Sequence, residues 1–157
     1  MKSPSIAMAC ALLLTPFLGH AAAPASEAVK RGEYLVRIGG CNDCHTPGYG
    51  EKAGATPVSE WLTGVPVGYR GPWGTTYAAN LRLSMSKLTE AQWLQQARLP
   101  RLPPMPFWAL KDMTDADLKA LYQFVRSLGA AGSATPASIA PGVVAKTPVI
   151  DFVPHAP

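Results

Sequence analysis

The sequence predicts an all-α domain of about three to four helices, with long loops wrapped around a bound group that supplies part of the core. Two segments open with capping patterns, at Thr89–Gln92 and Thr114–Asp117, and continue with apolar residues at helical spacing. Residues 46–80 are broken by Gly and Pro so densely that no helix longer than two turns fits, yet they carry Trp61, Tyr69, Trp73 and Tyr77. Such aromatic loops are unstable without something to bury against. Ahead of them stands Cys41-Asn42-Asp43-Cys44-His45.

Taken in order, the chain starts with Lys2 before an apolar run from Ile6 to Leu18 and small residues at 19–23. That is the pattern of an export signal over residues 1–23. The run is about 13 residues, short of the roughly 20 a membrane-crossing helix needs, so no transmembrane segment is expected once the signal is removed. The expected location is periplasmic. Cys10 leaves with the signal, and the two remaining cysteines both belong to the motif. Residues 26–129 form the expected domain and 130–157 a tail.

Ser26 is the N-cap of a first helix running to Ile38, with Glu27 in its first turn and Gly39-Gly40 as its end. Gly32 inside that helix costs about 1 kcal/mol relative to Ala, which a close helix crossing or plain surface tolerance would explain. The next five residues are the attachment signal of c-type haem. Two thiols three apart each form a thioether with one vinyl group of a porphyrin, and the adjacent imidazole sits beneath the iron as axial ligand. A thioredoxin-like pair would follow a strand with β-branched runs, and none precedes Cys41. A zinc site needs four N or S ligands, and beyond the signal His155 is the one other Cys or His.

In the loops, Arg70, Trp73, Tyr77 and Asn80 are candidates for propionate contacts or loop bracing. Thr89 starts a helix to about Arg98, stopped by Pro100. Pro100, Pro103, Pro104 and Pro106 then stiffen an extended loop around Met105. The last helix carries Leu118, Leu121, Tyr122, Val125 and Leu128 on one face and ends at Gly129. The Ala-, Pro- and Ser-rich tail has no periodicity, though Val149, Ile150, Phe152 and Val153 could dock it on the body.

The second axial position decides the chemistry, since an open iron binds gases or peroxide and a six-coordinate iron mainly passes electrons. Met113 is committed to the staple of the last helix, Met85 lies in a flexible Ser-Met-Ser stretch, and His155 would require the tail to fold back. Proline stiffening favours Met105, with Met85 and an open position remaining as alternatives. A net charge of +4 and 15% charged residues give no nucleic-acid footprint.

The segments Gly32 to Pro47, Pro72 to Leu81 and Met105 to Leu128 resemble a class I cytochrome c domain. They are most similar to the single-haem domains that accompany periplasmic alcohol and aldehyde dehydrogenases. The specific parts are Cys41-Asn42-Asp43-Cys44-His45, Trp73-Gly74-Thr75-Thr76-Tyr77 and Met105-Pro106. The resemblance implies a cytochrome c fold, one covalent haem c on Cys41 and Cys44, axial His45 and Met105, and a helix crossing at Gly32. It departs from the pattern in the short segment Gln96–Pro104. The expected function is a one-electron carrier, not an enzyme, taking electrons from a dehydrogenase and passing them to an oxidase or another cytochrome. Arg98, Arg101 and Lys111 are a candidate basic rim for an acidic partner. The alternatives are a haem c subunit of a dehydrogenase or oxidase complex and a five-coordinate haem enzyme or sensor.

Overall fold

A computed structural model describes residues 26–154 as a small, mostly helical domain. The export signal and His155 lie outside the described residues. In chain order the elements are α1 (Glu27–Ile38), α2 (Cys41–His45), β1 (Val65–Gly71), β2 (Gly74–Ala78), α3 (Leu81–Ser86), α4 (Glu90–Ala97), α5 (Phe107–Lys111), α6 (Asp115–Ser127) and β3 (Val149–Asp151). No helix among them is long and apolar enough to cross a membrane.

The frame is the pair α1 and α6. Ser26 caps α1 by accepting from the Val29 amide, and the hydroxyl of Thr114 caps α6 by accepting from the Asp117 amide. Leu35 and Val36 meet Leu118, Leu121, Phe124 and Val125 in one buried cluster. Gly32 is the crossing point, because a Cβ there would lie 2.1 Å from the Ala120 carbonyl oxygen and 2.6 Å from Phe124 Cβ. The crossing reading of Gly32 is therefore the right one. At the rim Arg31 Nε donates to Asp117 Oδ1 at 2.9 Å.

Helix α4 has its capping box complete, the Thr89 side chain accepting from the Gln92 amide and the Gln92 side chain accepting from the Thr89 amide. It is tied to α6 by the indole of Trp93, which donates to the Leu118 carbonyl at 2.8 Å. The buried guanidinium of Arg82 closes the far end of α6, donating to the carbonyls of Leu128 and Gly129 and to that of Ser59. Of these, the Leu128 carbonyl is the C-cap acceptor that a helix end leaves unpaired.

Two expectations need correction. The domain is not all-α: it contains a three-stranded sheet in the order β2-β1-β3. β1 and β2 form an antiparallel hairpin pairing Tyr69 with Thr76 and Arg70 with Thr75, with a register shift between Val65 and Gly68. The turn closes at Gly74, where φ is +98° and where a Cβ would lie 2.1 Å from the Ile139 carbonyl oxygen. β3 comes from the tail and pairs with β1 in parallel. The helix count also exceeds three to four: six are present among the described residues, because α2, α3 and α5 are short turns with too few residues to show periodicity.

Candidate haem site

Between α1, α6, the hairpin and the Met105 loop lies a cavity of about 620 Å³ with a mostly apolar lining. Its size falls within the usual range for a bound cofactor, roughly 300–1,000 Å³. Every helix contributes to the wall, Val36 from α1, Met85 from α3, Trp93 from α4, Leu110 from α5 and Val125 from α6 among them. Cys41, Cys44, His45 and Met105 all line it. The four residues read from the sequence thus meet in one place.

The motif is held as the single turn α2, entered through Gly40 in the left-handed conformation. Thr46 Oγ1 donates to Asn42 Oδ1 at 2.7 Å and accepts from the Leu62 amide at 2.8 Å. The His45 carbonyl accepts from the Gly64 amide at 2.8 Å. His45 is buried, and its Nδ1 lies 2.7 Å from the Ala79 carbonyl oxygen. A carbonyl only accepts, so Nδ1 carries the proton and Nε2 keeps its lone pair. Burial also pulls the imidazole pKa below its ordinary value, although the Ala79 bond opposes this. The ring is thus neutral and oriented by a backbone acceptor, as a metal-ligating histidine requires.

Both cysteines are free thiols. Burial pushes the Cys41 thiol up to about 11, with Asp43 and Cys44 adding to the rise. A thiol so protonated at neutral pH is a poor nucleophile. The Tyr69 hydroxyl is raised to about 12 chiefly by burial, with the neighbouring Cys44 thiol adding to the rise. No group of three or more His, Cys, Asp or Glu side chains among the described residues could hold a metal ion by itself.

Three methionines line the cavity, Met85, Met105 and Met113. The flexible stretch expected around Met85 is instead helix α3, and Met85 is only 2% exposed within the core cluster. Met105 sits on the proline loop, half-buried. That loop is anchored two residues earlier, where Thr76 Oγ1 donates to the Pro103 carbonyl at 2.7 Å, and Arg101 Nη2 donates to the Gln96 carbonyl at 2.9 Å.

The candidate bracing residues sort clearly. Arg70 pairs with Asp151, the Trp73 indole donates to the Tyr69 carbonyl, and Asn80 caps α3 while its amide donates to the carbonyls of Ala131 and Ser133. None of these three lines the cavity; Tyr77 does. Arg98 is not a free rim charge, since its guanidinium donates to the carbonyls of Lys111 and Met113 and to Asp115. Sequence reading missed the Ala79 carbonyl, Tyr69 and the anchoring role of Thr76. A backbone acceptor leaves no side-chain signal, and Thr76 was visible only as part of the Trp73–Tyr77 segment.

No protein-family model and no solved structure matches the chain. It is 27% identical over 132 residues to the cytochrome c subunit of a quinone alcohol dehydrogenase of Gluconobacter oxydans, across 76% of this chain and 25% of that protein. The corresponding subunits of Gluconacetobacter polyoxogenes and Komagataeibacter europaeus are 27% identical over 136 residues, covering 79% of this chain and 27% of theirs. The chain therefore spans about a quarter of the length of the curated relatives it matches. It is a distant homologue of cytochrome c subunits of quinone alcohol dehydrogenases, and with Cys41, Cys44 and His45 that homology supports a haem c-binding, electron-transfer role.

Proposed function

We propose that this chain is a periplasmic haem c subunit of a dehydrogenase complex, relaying single electrons from the catalytic partner to an oxidase or another cytochrome without catalysing the substrate reaction itself. Cys41 and Cys44 would hold the haem covalently, and His45 and Met105 would be the residues that ligate its iron. The observation that carries this is the convergence of those four residues on one apolar cavity of about 620 Å³. Bound there, haem c supplies reversible one-electron chemistry at iron, with thioether ligation favouring the ferrous state relative to bis-histidine ligation.

The chain's own part is positioning. Ala79 sets the His45 tautomer, the apolar wall limits water, and the prolines with Thr76 leave the Met105 loop little freedom to lose. The distant homology is to named subunits, which favours membership of a complex over a freely diffusing carrier. On this reading residues 1–23 are the export signal, 26–129 the haem domain and 130–157 a further segment of the same chain.

The test is production in a host that matures c-type haem. The full-length protein should carry haem through denaturing electrophoresis, and Cys41→Ser or Cys44→Ser should compromise attachment. Met105→Ala should keep the haem and lose the weak near-infrared band of sulfur-ligated ferric iron. A colourless protein at its apoprotein mass overturns the proposal. A band that survives Met105→Ala moves the ligand to Met85 or Met113, and rapid carbon monoxide binding by the reduced wild type favours the five-coordinate alternative. Co-purification with a dehydrogenase from native periplasm distinguishes subunit from free carrier.

A further inference from the structure

The segment after α6 was read from sequence as an extended tail, but its contacts form one continuous series along the hairpin. Asn80 donates to the carbonyls of Ala131 and Ser133. Ser138 reaches the cavity wall. Ile139 and Thr75 exchange both backbone hydrogen bonds, at 2.9 and 2.8 Å. Farther on, the hydroxyls of Tyr77 and Thr147 are 2.8 Å apart, the Gly68 amide donates to the Pro148 carbonyl, and the Phe152 amide donates to the Arg70 carbonyl. Arg70 pairs with Asp151 at 2.5 Å, and the Phe152 ring lies against Tyr69 and Trp73 at about 6 Å between centroids.

The hairpin so gripped touches the site in two places, at His45 and at the Met105 loop. The Ala79 carbonyl, one residue past β2, orients His45, and Thr76 in β2 anchors the loop that presents Met105. β2 also supplies Thr76, Tyr77 and Ala78 to the cavity wall. A two-stranded hairpin alone is marginal in water, and this one carries Pro66, Gly68 and a register shift that weaken its pairing. A third strand and flanking contacts are what such a hairpin needs in order to be rigid.

We infer that residues 130–152 are a positioning strap, holding the β1–β2 hairpin in the one placement from which Ala79 orients His45 and Thr76 fixes the Met105 loop. Thr147 and Asp151 are its outer clamps, and Thr76 is the link to the methionine side; none of them is among the residues proposed to hold the haem. The inference rests on the proposed reading of the cavity as a haem site. A strap of this kind sets how readily the methionine side opens, and therefore whether small ligands reach the metal.

The experiment is hydrogen exchange followed by mass spectrometry on the full chain as exported. Imidazole binding to the oxidised protein and the near-infrared band are recorded alongside. Thr147→Val removes one net hydrogen bond at the clamp, so exchange should rise roughly fivefold in residues 65–78 and also in the Met105 loop, residues 99–107. Imidazole capture should accelerate by a similar factor. Thr147→Ser, which keeps a hydroxyl, should restore both. Thr76→Val should loosen residues 99–107 alone and leave the β1–β3 pairing protected. Asp151→Asn gives the second reading of the outer clamp should Thr147→Val not fold. Increased exchange confined to residues 139–153, with the hairpin and Met105 loop unmoved, overturns the strap. Because exchange is read with or without haem, absence of pigment would sink the proposed function while leaving the strap to be judged on the exchange data.

Discussion

At Gly32 the addition of one methyl group is more than the fold can absorb. Ala ordinarily gains about 1 kcal/mol over Gly in a helix interior. Here its Cβ would stand 2.1 Å from the backbone oxygen of Ala120, and a backbone atom inside α6 cannot swing aside as the end of a side chain can. Overpacking of this kind costs typically 1–3 kcal/mol, so the clash outweighs the propensity gain. Gly32→Ala is expected to lower stability by about 2 kcal/mol, seen as a lower denaturant midpoint at unchanged slope. A midpoint at or above that of the wild type would show that α1 and α6 do not cross there. The residue was visible in the sequence as an anomaly, a glycine where a helix was expected, but the sequence did not name its partner, 88 positions away in the chain.

At the scale of elements, α1 and α6 are joined at the rim by Arg31 and Asp117 as well as by the core. The Arg31 guanidinium holds the Asp117 carboxyl below its ordinary 3.8, with the Thr114 hydroxyl assisting. A group whose pKa is lower in the folded state contributes stability that is present above 3.8 and lost as pH falls through the folded value. The difference in Tm between wild type and Asp117→Asn should therefore be largest near neutrality, close towards zero in acid, and shrink with added salt because the pair is exposed. A difference constant with pH would mean the ion pair is not its source. The elements that could be read from sequence were those with local signals: the Ser26, Thr89 and Thr114 caps, and the apolar face of α6. The hairpin was hidden because Pro66, Gly68 and the register shift interrupt the alternation of a strand. β3 was hidden because its pairing partner lies some 80 residues upstream, and parallel pairing leaves no turn between partners to recognise. In the site, Cys41, Cys44 and His45 were legible because the proposed haem attachment would require that spacing. Choosing Met105 over Met85 took an argument about loop stiffness, and all three methionines of the described residues in fact line the cavity.

For the molecule as a whole, the cavity leaves a large apolar wall in want of something to pack against. Apolar lining with nothing packed against it forgoes dispersion contacts, and the cost rises with the volume left unfilled. Water entering through the mouth would reduce that cost, but a mostly apolar wall offers it few partners. Nor can the wall collapse without breaking up the core, since Val36, Met85, Trp93, Leu121 and Val125 belong both to the lining and to the buried cluster. The α1–α6 frame has contacts of its own beyond the cavity, at Gly32, Leu118 and Phe124, so it should outlast the rest. The Cys41→Ser/Cys44→Ser double variant, made without attached haem, should therefore keep much of its helical far-ultraviolet signal, lose the near-ultraviolet signal of fixed aromatic packing, and unfold over a broad range instead of a sharp transition. A haem-free variant that melts sharply with its near-ultraviolet spectrum intact would show that the cavity closes or fills without cost, and that these helices do not need a prosthetic group to complete their core.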